Sequence, residues 1–260
     1  MPMSNILVCI KAVPATSQVS IDEKNTLKRE GVSLQWNIAD EAALEAALQL
    51  KGSNGTVTVL SMGPSKLTEA LEELFGRGVD RAVLLSDPQM AGADTHATAG
   101  ALERAVRALG SFDLILCGKR AMDGETGQVP PMLAAALSLP CITAVERLRE
   151  NEDVLTLRRR LENGTATLTL RTPAVVSICE YAYTLRLPGI LSMRRARDKR
   201  VECLTAADIG LEPQECGQKG SLTKVVHIDS KFPGLRKGHQ ETNLSLGVNT
   251  LLRLWREVRQ

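Results

Sequence analysis

Short apolar runs without alternation recur through the first half of the chain, at 6–10, 56–60, 81–86 and 113–117, all rich in Val, Ile and Leu. A strand buried on one face alternates apolar and polar residues, so unbroken runs of this length predict a parallel sheet covered on both faces. Between the runs the period lengthens to that of helices. Residues 40–51 place Leu44 and Leu48 on one face, with Asp40 and Glu41 at the start and Lys51 at the end, as the helix dipole favours. Residues 65–75 open with Ser65 as a candidate cap and stop at Gly76 and Gly78. A third helix is expected over 94–109, behind Asp94-Thr95, and a fourth over 128–138, with Pro130-Pro131 near its start. This alternation predicts an α/β domain, doubly wound on a mainly parallel sheet.

The pattern changes after residue 150. Val154–Leu161 and Thr165–Leu170 alternate and flank Asn163-Gly164, which predicts an antiparallel hairpin. Ala174–Cys179 reads as one more buried strand. From about 185 onward Pro, Gly and charge interrupt every run until an amphipathic helix over Ser245–Val258, with Leu251, Leu252, Leu254 and Trp255. The expected division is therefore an α/β domain over 1–190 and an extended C-terminal arm over 191–260. The arm is too sparse to build a core of its own and should pack against another surface.

Composition removes several function classes. Seven aromatic rings (two Trp, two Tyr, three Phe) are too few for rows of side chains that stack single-stranded nucleic acid, and few with which to sandwich a flavin. The three His, at 96, 227 and 239, never fall at i, i+4, and the six Cys contain no C-x-x-C pair. Zinc, iron–sulfur and disulfide frameworks therefore find no support. Residues 181–260 carry 14 Lys/Arg against 8 Asp/Glu, much of the excess in Arg194, Arg195, Arg197, Lys199 and Arg200. That cluster suits a solvated face or an acidic partner, since nucleic-acid binding needs a larger basic field and a recognition motif. The run Ile6–Ile10 is too short for a signal peptide, and the uncharged stretch Thr126–Val145 holds three prolines, so a cytoplasmic chain without stable membrane insertion is expected.

Ligands of open α/β sheets bind beyond the carboxyl ends of the strands. The richest loop there runs from Gly118 through Asp123, Gly124, Glu125, Thr126, Gly127 and Gln128 to Val129. Its glycines allow close backbone approach, and the helix that follows should offer free N–H groups to an anion. It is neither a Walker A loop nor a Gly-x-Gly-x-x-Gly turn, so nucleotide phosphate and an ordinary polar turn both remain open. Asp94-Thr95 with Thr98 reads as a second helix start or a simple cap. Asp123 and Glu125 are paired carboxylates without an evident His or Lys partner in sequence, and no nucleophile elbow stands out.

Ile6–Pro14, Asn37–Leu48, Ser61–Pro64, Arg81–Asp87, Ala93–Thr95, Leu116–Pro131, Pro173–Val176 and Leu187–Ile190, in that order and spacing, resemble the beta (small) subunit family of electron transfer flavoproteins over about residues 4–200. The resemblance implies an electron-carrier subunit rather than an enzyme. Its partners would be a larger alpha subunit, which holds most of an FAD, and a flavin-dependent dehydrogenase. It further implies an adenine nucleotide in this chain, lined by Cys9, Asn37, Met62, the Asp94–Thr98 turn and the Gly118–Val129 loop. Leu187, Pro188, Gly189 and Ile190 correspond to the loop that docks on dehydrogenases. Gly127-Gln128-Val129 departs from the Asn-Gln-Thr of AMP-binding members and approaches members that hold a second FAD and bifurcate electrons, although those often carry Gly where Pro130 stands. Ala166 replaces a Glu found in some members. AMP and a second FAD thus both stay open, and a stand-alone α/β nucleotide sensor is the alternative function.

Overall fold

In the first strand Ile6, Val8 and Ile10 join one buried cluster while Leu7 and Cys9 join another on the opposite face. Burial on both sides is the physical reason the apolar runs do not alternate. The structure, a computed structural model, describes residues 5–15, 33–52, 54–151, 154–226 and 242–257. The strands are β1 (Asn5–Ile10), β2 (Ala12–Pro14), β3 (Leu34–Trp36), β4 (Thr56–Met62), β5 (Arg81–Leu85), β6 (Leu114–Gly118), β7 (Cys141–Asn151), β8 (Val154–Leu161), β9 (Gly164–Leu170), β10 (Ala174–Ile178) and β11 (Glu202–Leu204). The helices are α1 (Ile38–Leu50), α2 (Thr68–Phe75), α3 (Thr95–Leu109), α4 (Val129–Leu137), α5 (Ile190–Ala196), α6 (Gly217–Gly220) and α7 (Leu244–Glu257).

One nine-stranded sheet runs β11-β5-β4-β1-β6-β10-β7-β8-β9, parallel from β11 to β7 and antiparallel through β7, β8 and β9. β2 and β3 form a separate antiparallel pair. Residues of α1 and α2 belong to the cluster on one face, and residues of α3 and α4 to the cluster on the other. This is the doubly wound α/β arrangement that the strand–helix alternation predicts. The strand order reverses at β1, whose neighbours are β4 and β6, so a crevice lies at the carboxyl ends of β1 and β6.

Several local expectations shift. A 3-10 turn over Ser65–Leu67 precedes α2, and Ser65 does not cap it; Thr68 Oγ1 instead donates to the Ser65 carbonyl. The hairpin pairs Leu161 with Gly164, so Glu162 and Asn163 make the link and Gly164, at φ 143°, already belongs to β9. β7 has no counterpart among the predicted strands, because Glu146, Arg147, Arg149 and Glu150 break its apolar run and its register shifts against both neighbours.

The first compact unit reaches Val225, past the boundary drawn at 190, since β11 forms the sheet's edge and α5 touches α2. The second unit, from Val226, contains α7, whose Leu244, Leu246, Leu251, Leu254 and Trp255 are exposed. His227, His239 and the expected helix end at Val258 lie outside the described residues. Among the described residues no helix is long and apolar enough to cross a membrane.

Candidate functional site

At the crevice, one carboxylate ties two strand ends together. Asp40, in the first turn of α1, accepts from the Lys11 N–H at 2.8 Å and from the Gly118 N–H at 3.0 Å. Gly118 must be glycine here: a Cβ would overlap Asp40 Oδ1 and lie 2.8 Å from the Asp40 nitrogen. Burial raises the Asp40 pKa to about 7, against the lowering effect of the Asn37 side chain, those two N–H groups and the Lys11 charge. Its neighbour Asn37 is fully buried, donates through Nδ2 to the Arg120 carbonyl at 2.9 Å and accepts from the Met122 N–H at 3.1 Å. Lys11 Nζ reaches both Asp123 oxygens at 2.7 Å. The Gly118–Val129 loop is therefore clipped by three side chains, Asp40 and Asn37 at the start of α1 and Lys11 just after β1, and Asp123 does have a lysine partner, 112 positions earlier in the chain.

The far end of the loop leans on α3, where Thr95 Oγ1 lies 3.1 Å from Gln128 Oε1. Gly127 at φ 62° is followed by Gln128 at φ −90°, ψ −25°. A left-handed residue followed by a right-handed one turns successive N–H groups to one side, a concavity suited to an anion. Among the described residues, the N–H groups of Thr126, Gly127, Gln128 and Val129 find no protein acceptor. The helix-terminus donors expected from sequence are fewer, because Pro130 and Pro131 occupy the second and third positions of α4 and carry no N–H. The concavity is thus formed by the turn itself rather than by the helix end. Of the three loop glycines, Gly124 faces open space and Gly127 serves its positive φ.

Cys9 pairs in register with Cys117 and lies with it in the cluster on the α3 side of the sheet, with Met62 packed at its edge. Contact with the Cys9 thiol, and burial, push the Cys117 thiol well above its ordinary value. Ser61, beside Met62, is fully buried with its hydroxyl unpartnered among the described residues. Asp94 caps α3 by accepting from the Ala97 N–H at 3.0 Å, and its other oxygen accepts from Thr223 N–H and Oγ1, both at 2.8 Å. Partial burial would raise its pKa, but these donors outweigh that and hold it at about 2. Asp94 is therefore committed within the protein. Thr98 is half-buried, and its N–H donates to the Asp94 carbonyl.

The crevice thus brings Asn37, Gly118 and Asp123–Val129 together, with Thr95 at the loop's far end. A cleft of ≈ 610 Å³ adjoins the loop, lined among others by Arg120, Met122, Glu146, Arg160, Glu180 and Tyr181. Leu187, Pro188, Gly189 and Ile190 sit elsewhere, by the carboxyl end of α2, directly after Arg186, which is bound to Glu45 of α1. Sequence reasoning misses Asp40 and Lys11 as parts of the site. The available signal was the alanine on every side of α1, which marks a helix buried all round and hence buried acids within it.

The electron transfer flavoprotein domain model matches residues 24–209. The chain is 42% identical over 225 residues to the electron transfer flavoprotein subunit beta of Thermoanaerobacterium thermosaccharolyticum, covering 85% of this chain and 86% of that protein. It is 37% identical to the caffeyl-CoA reductase-Etf complex subunit CarD of Acetobacterium woodii, covering 85% of each. Against the electron transfer flavoprotein subunit beta of Mycobacterium leprae identity is 34%, over 96% of this chain and 97% of that one.

Proposed function

The chain belongs to the electron transfer flavoprotein family, among its beta subunits, and from that premise we propose that it is the small subunit of a heterodimeric carrier, holds an adenine nucleotide of its own, and relays electrons through FAD to or from a flavoprotein dehydrogenase. The observation that carries this reading is the clipped loop with four N–H groups at Thr126–Val129 that find no acceptor among the described residues, which fits a nucleotide phosphate. Thr95 supplies a hydroxyl beside that cradle, Asn37 and Lys11 keep it shaped, and Cys9 and Met62 offer an apolar wall. The nucleotide is AMP or a second FAD; both present the same adenosine phosphate to the loop, and a second FAD would suit electron bifurcation. FAD, when bound between the subunits, supplies the electron chemistry, while this chain binds, positions and docks.

Leu187 and Ile190 are 83% and 79% exposed, suited to enter an apolar pocket on the dehydrogenase, with Arg194, Arg195 and Arg197 steering an acidic rim. The name of the Acetobacterium woodii relative, a subunit of a reductase complex, supports such a partner. Helix α7 would pack on the alpha subunit through its exposed apolar side chains, in a cytoplasmic complex. Co-expression with a neighbouring large-subunit gene tests this: the expected product is a yellow heterodimer. A colourless, stable homodimer would instead identify a stand-alone nucleotide sensor.

A further inference from the structure

Between β10 and α5 the chain runs eleven residues without regular structure and then shows solvent four large apolar side chains: Leu187, Ile190, Leu191 and Met193. A loop of this composition needs an external reason to keep one shape, and Arg186 supplies it. Its backbone N–H and its Nε reach Glu45 Oε2 at 3.1 and 3.0 Å, and its second guanidinium nitrogen reaches Glu45 Oε1 at 2.9 Å. Its carbonyl accepts from the Arg77 guanidinium at 2.6 Å. Both peptide groups flanking Arg186 are thus held one residue before Leu187.

The loop's next anchor lies on α2. The Gly189 N–H donates to the Gly76 carbonyl at 3.2 Å. Gly76, at an ordinary φ of −66°, needs no glycine for its conformation. A Cβ there would lie 3.2 Å from both Pro188 Cβ and Met193 Cγ, a tight contact that shows how closely the loop approaches the end of α2. Pro188 and the stem of Met193 approach the end of α2, while Leu187 and Ile190 are the most exposed of the apolar side chains here.

Glu45 is only 5% exposed, an acid placed inside a buried helix. Burial raises its pKa, but the donors on Arg186 and Gln49 outweigh that and hold it below the usual carboxylate range, so it stays charged. It lies eight positions after Asn37, about 12 Å along the axis of the helix whose first turn holds the Gly118–Val129 loop. One rigid element therefore carries the clips of the nucleotide loop at one end and the mooring of the apolar loop further along.

We propose that Glu45 and Arg186 form a latch that presents Leu187 and Ile190 in a single arrangement for docking, so that the loop meets its partner already ordered. Both are positioning residues, and the proposal rests on the docking role assigned above to Leu187–Ile190. A preordered loop avoids the entropy of ordering at the moment of association, which appears in affinity rather than in the chemical step.

The test uses the intact heterodimer carrying Glu45→Gln, together with the double variant Glu45→Gln/Arg186→Met. The double variant leaves no unpaired buried charge and keeps the experiment open if the single one misfolds. Hydrogen–deuterium exchange over residues 185–197 should rise at least tenfold in both, while residues 118–129 and the flavin content stay as in the parent. With the dehydrogenase from the same cells, KM for the carrier should rise about tenfold with kcat unchanged. Unaltered exchange over 185–197, or faster exchange spread through α1 and the sheet, would overturn the latch. Faster loop exchange with KM unmoved would overturn the proposal through its docking premise instead, leaving the latch as a purely local tie.

Discussion

Replacing Asp40 by Asn isolates the carboxylate that joins β1, β6 and α1. Its pKa rises from 3.8 to about 7 on folding, chiefly through burial. A raised folded-state value means the native protein holds the proton more tightly than the unfolded chain does. The associated stability is therefore fully present below about pH 4 and is lost as the pH climbs to about 7. Roughly three pH units at about 1.4 kcal/mol each give about 4 kcal/mol across that window. The amide of the Asp40→Asn variant cannot titrate. It retains one oxygen for one of the two N–H groups of Lys11 and Gly118 and turns an NH₂ toward the other, a loss of about 1–3 kcal/mol that does not vary with pH. Asp94, held at about 2, titrates below the window, and it does so in both proteins. Urea unfolding of the two proteins at pH 4, 5, 6 and 7 gives the difference in stability at each pH. The advantage of the parent over Asp40→Asn should shrink by about 4 kcal/mol from pH 4 to pH 7. A difference that stays constant across the series would show Asp40 ionised throughout, with its N–H donors fully offsetting burial, and would refute the reasoning.

Three further substitutions have defined outcomes. Gly118→Ala would drive a methyl group into Asp40 and against the α1 backbone, which cannot yield, and should lower stability by about 3 kcal/mol in denaturant unfolding. Thr95→Val removes the 3.1 Å contact with Gln128 and the hydroxyl beside the cradle; AMP affinity, by titration calorimetry, should fall about fivefold, with little change in melting temperature. Leu187→Ala should raise KM for the dehydrogenase about tenfold while flavin content is unchanged, and loss of flavin would mark the loop as structural instead.

The central strands of the sheet were legible because they are covered on both faces, so that burial writes itself as an unbroken run in Ile6–Ile10 and Leu114–Cys117 alike. β7 was not, since it changes partners along its length and adjacent charged pairs, Glu146-Arg147 and Arg149-Glu150, interrupt its apolar pattern. The Gly118–Val129 loop stands out in the sequence by its glycines, but their separate reasons do not. Gly118 yields to Asp40 from 78 residues earlier, and Gly127 to a positive φ, and neither relation has a local signature. Asp40 itself resembled a surface acid complementing the dipole of α1, and only the packing shows it buried. Glu45 and Arg186 are separated by 141 residues, so their fork is invisible until the fold brings them together.

The claim that this chain's own loop holds an adenine nucleotide is tested most directly by acid release from the purified heterodimer, followed by chromatographic counting of FAD and AMP. Two adenine nucleotides per heterodimer are expected, either one FAD with one AMP or two FAD. A single FAD and nothing else, recovered under conditions that retain weakly held nucleotides, would contradict it.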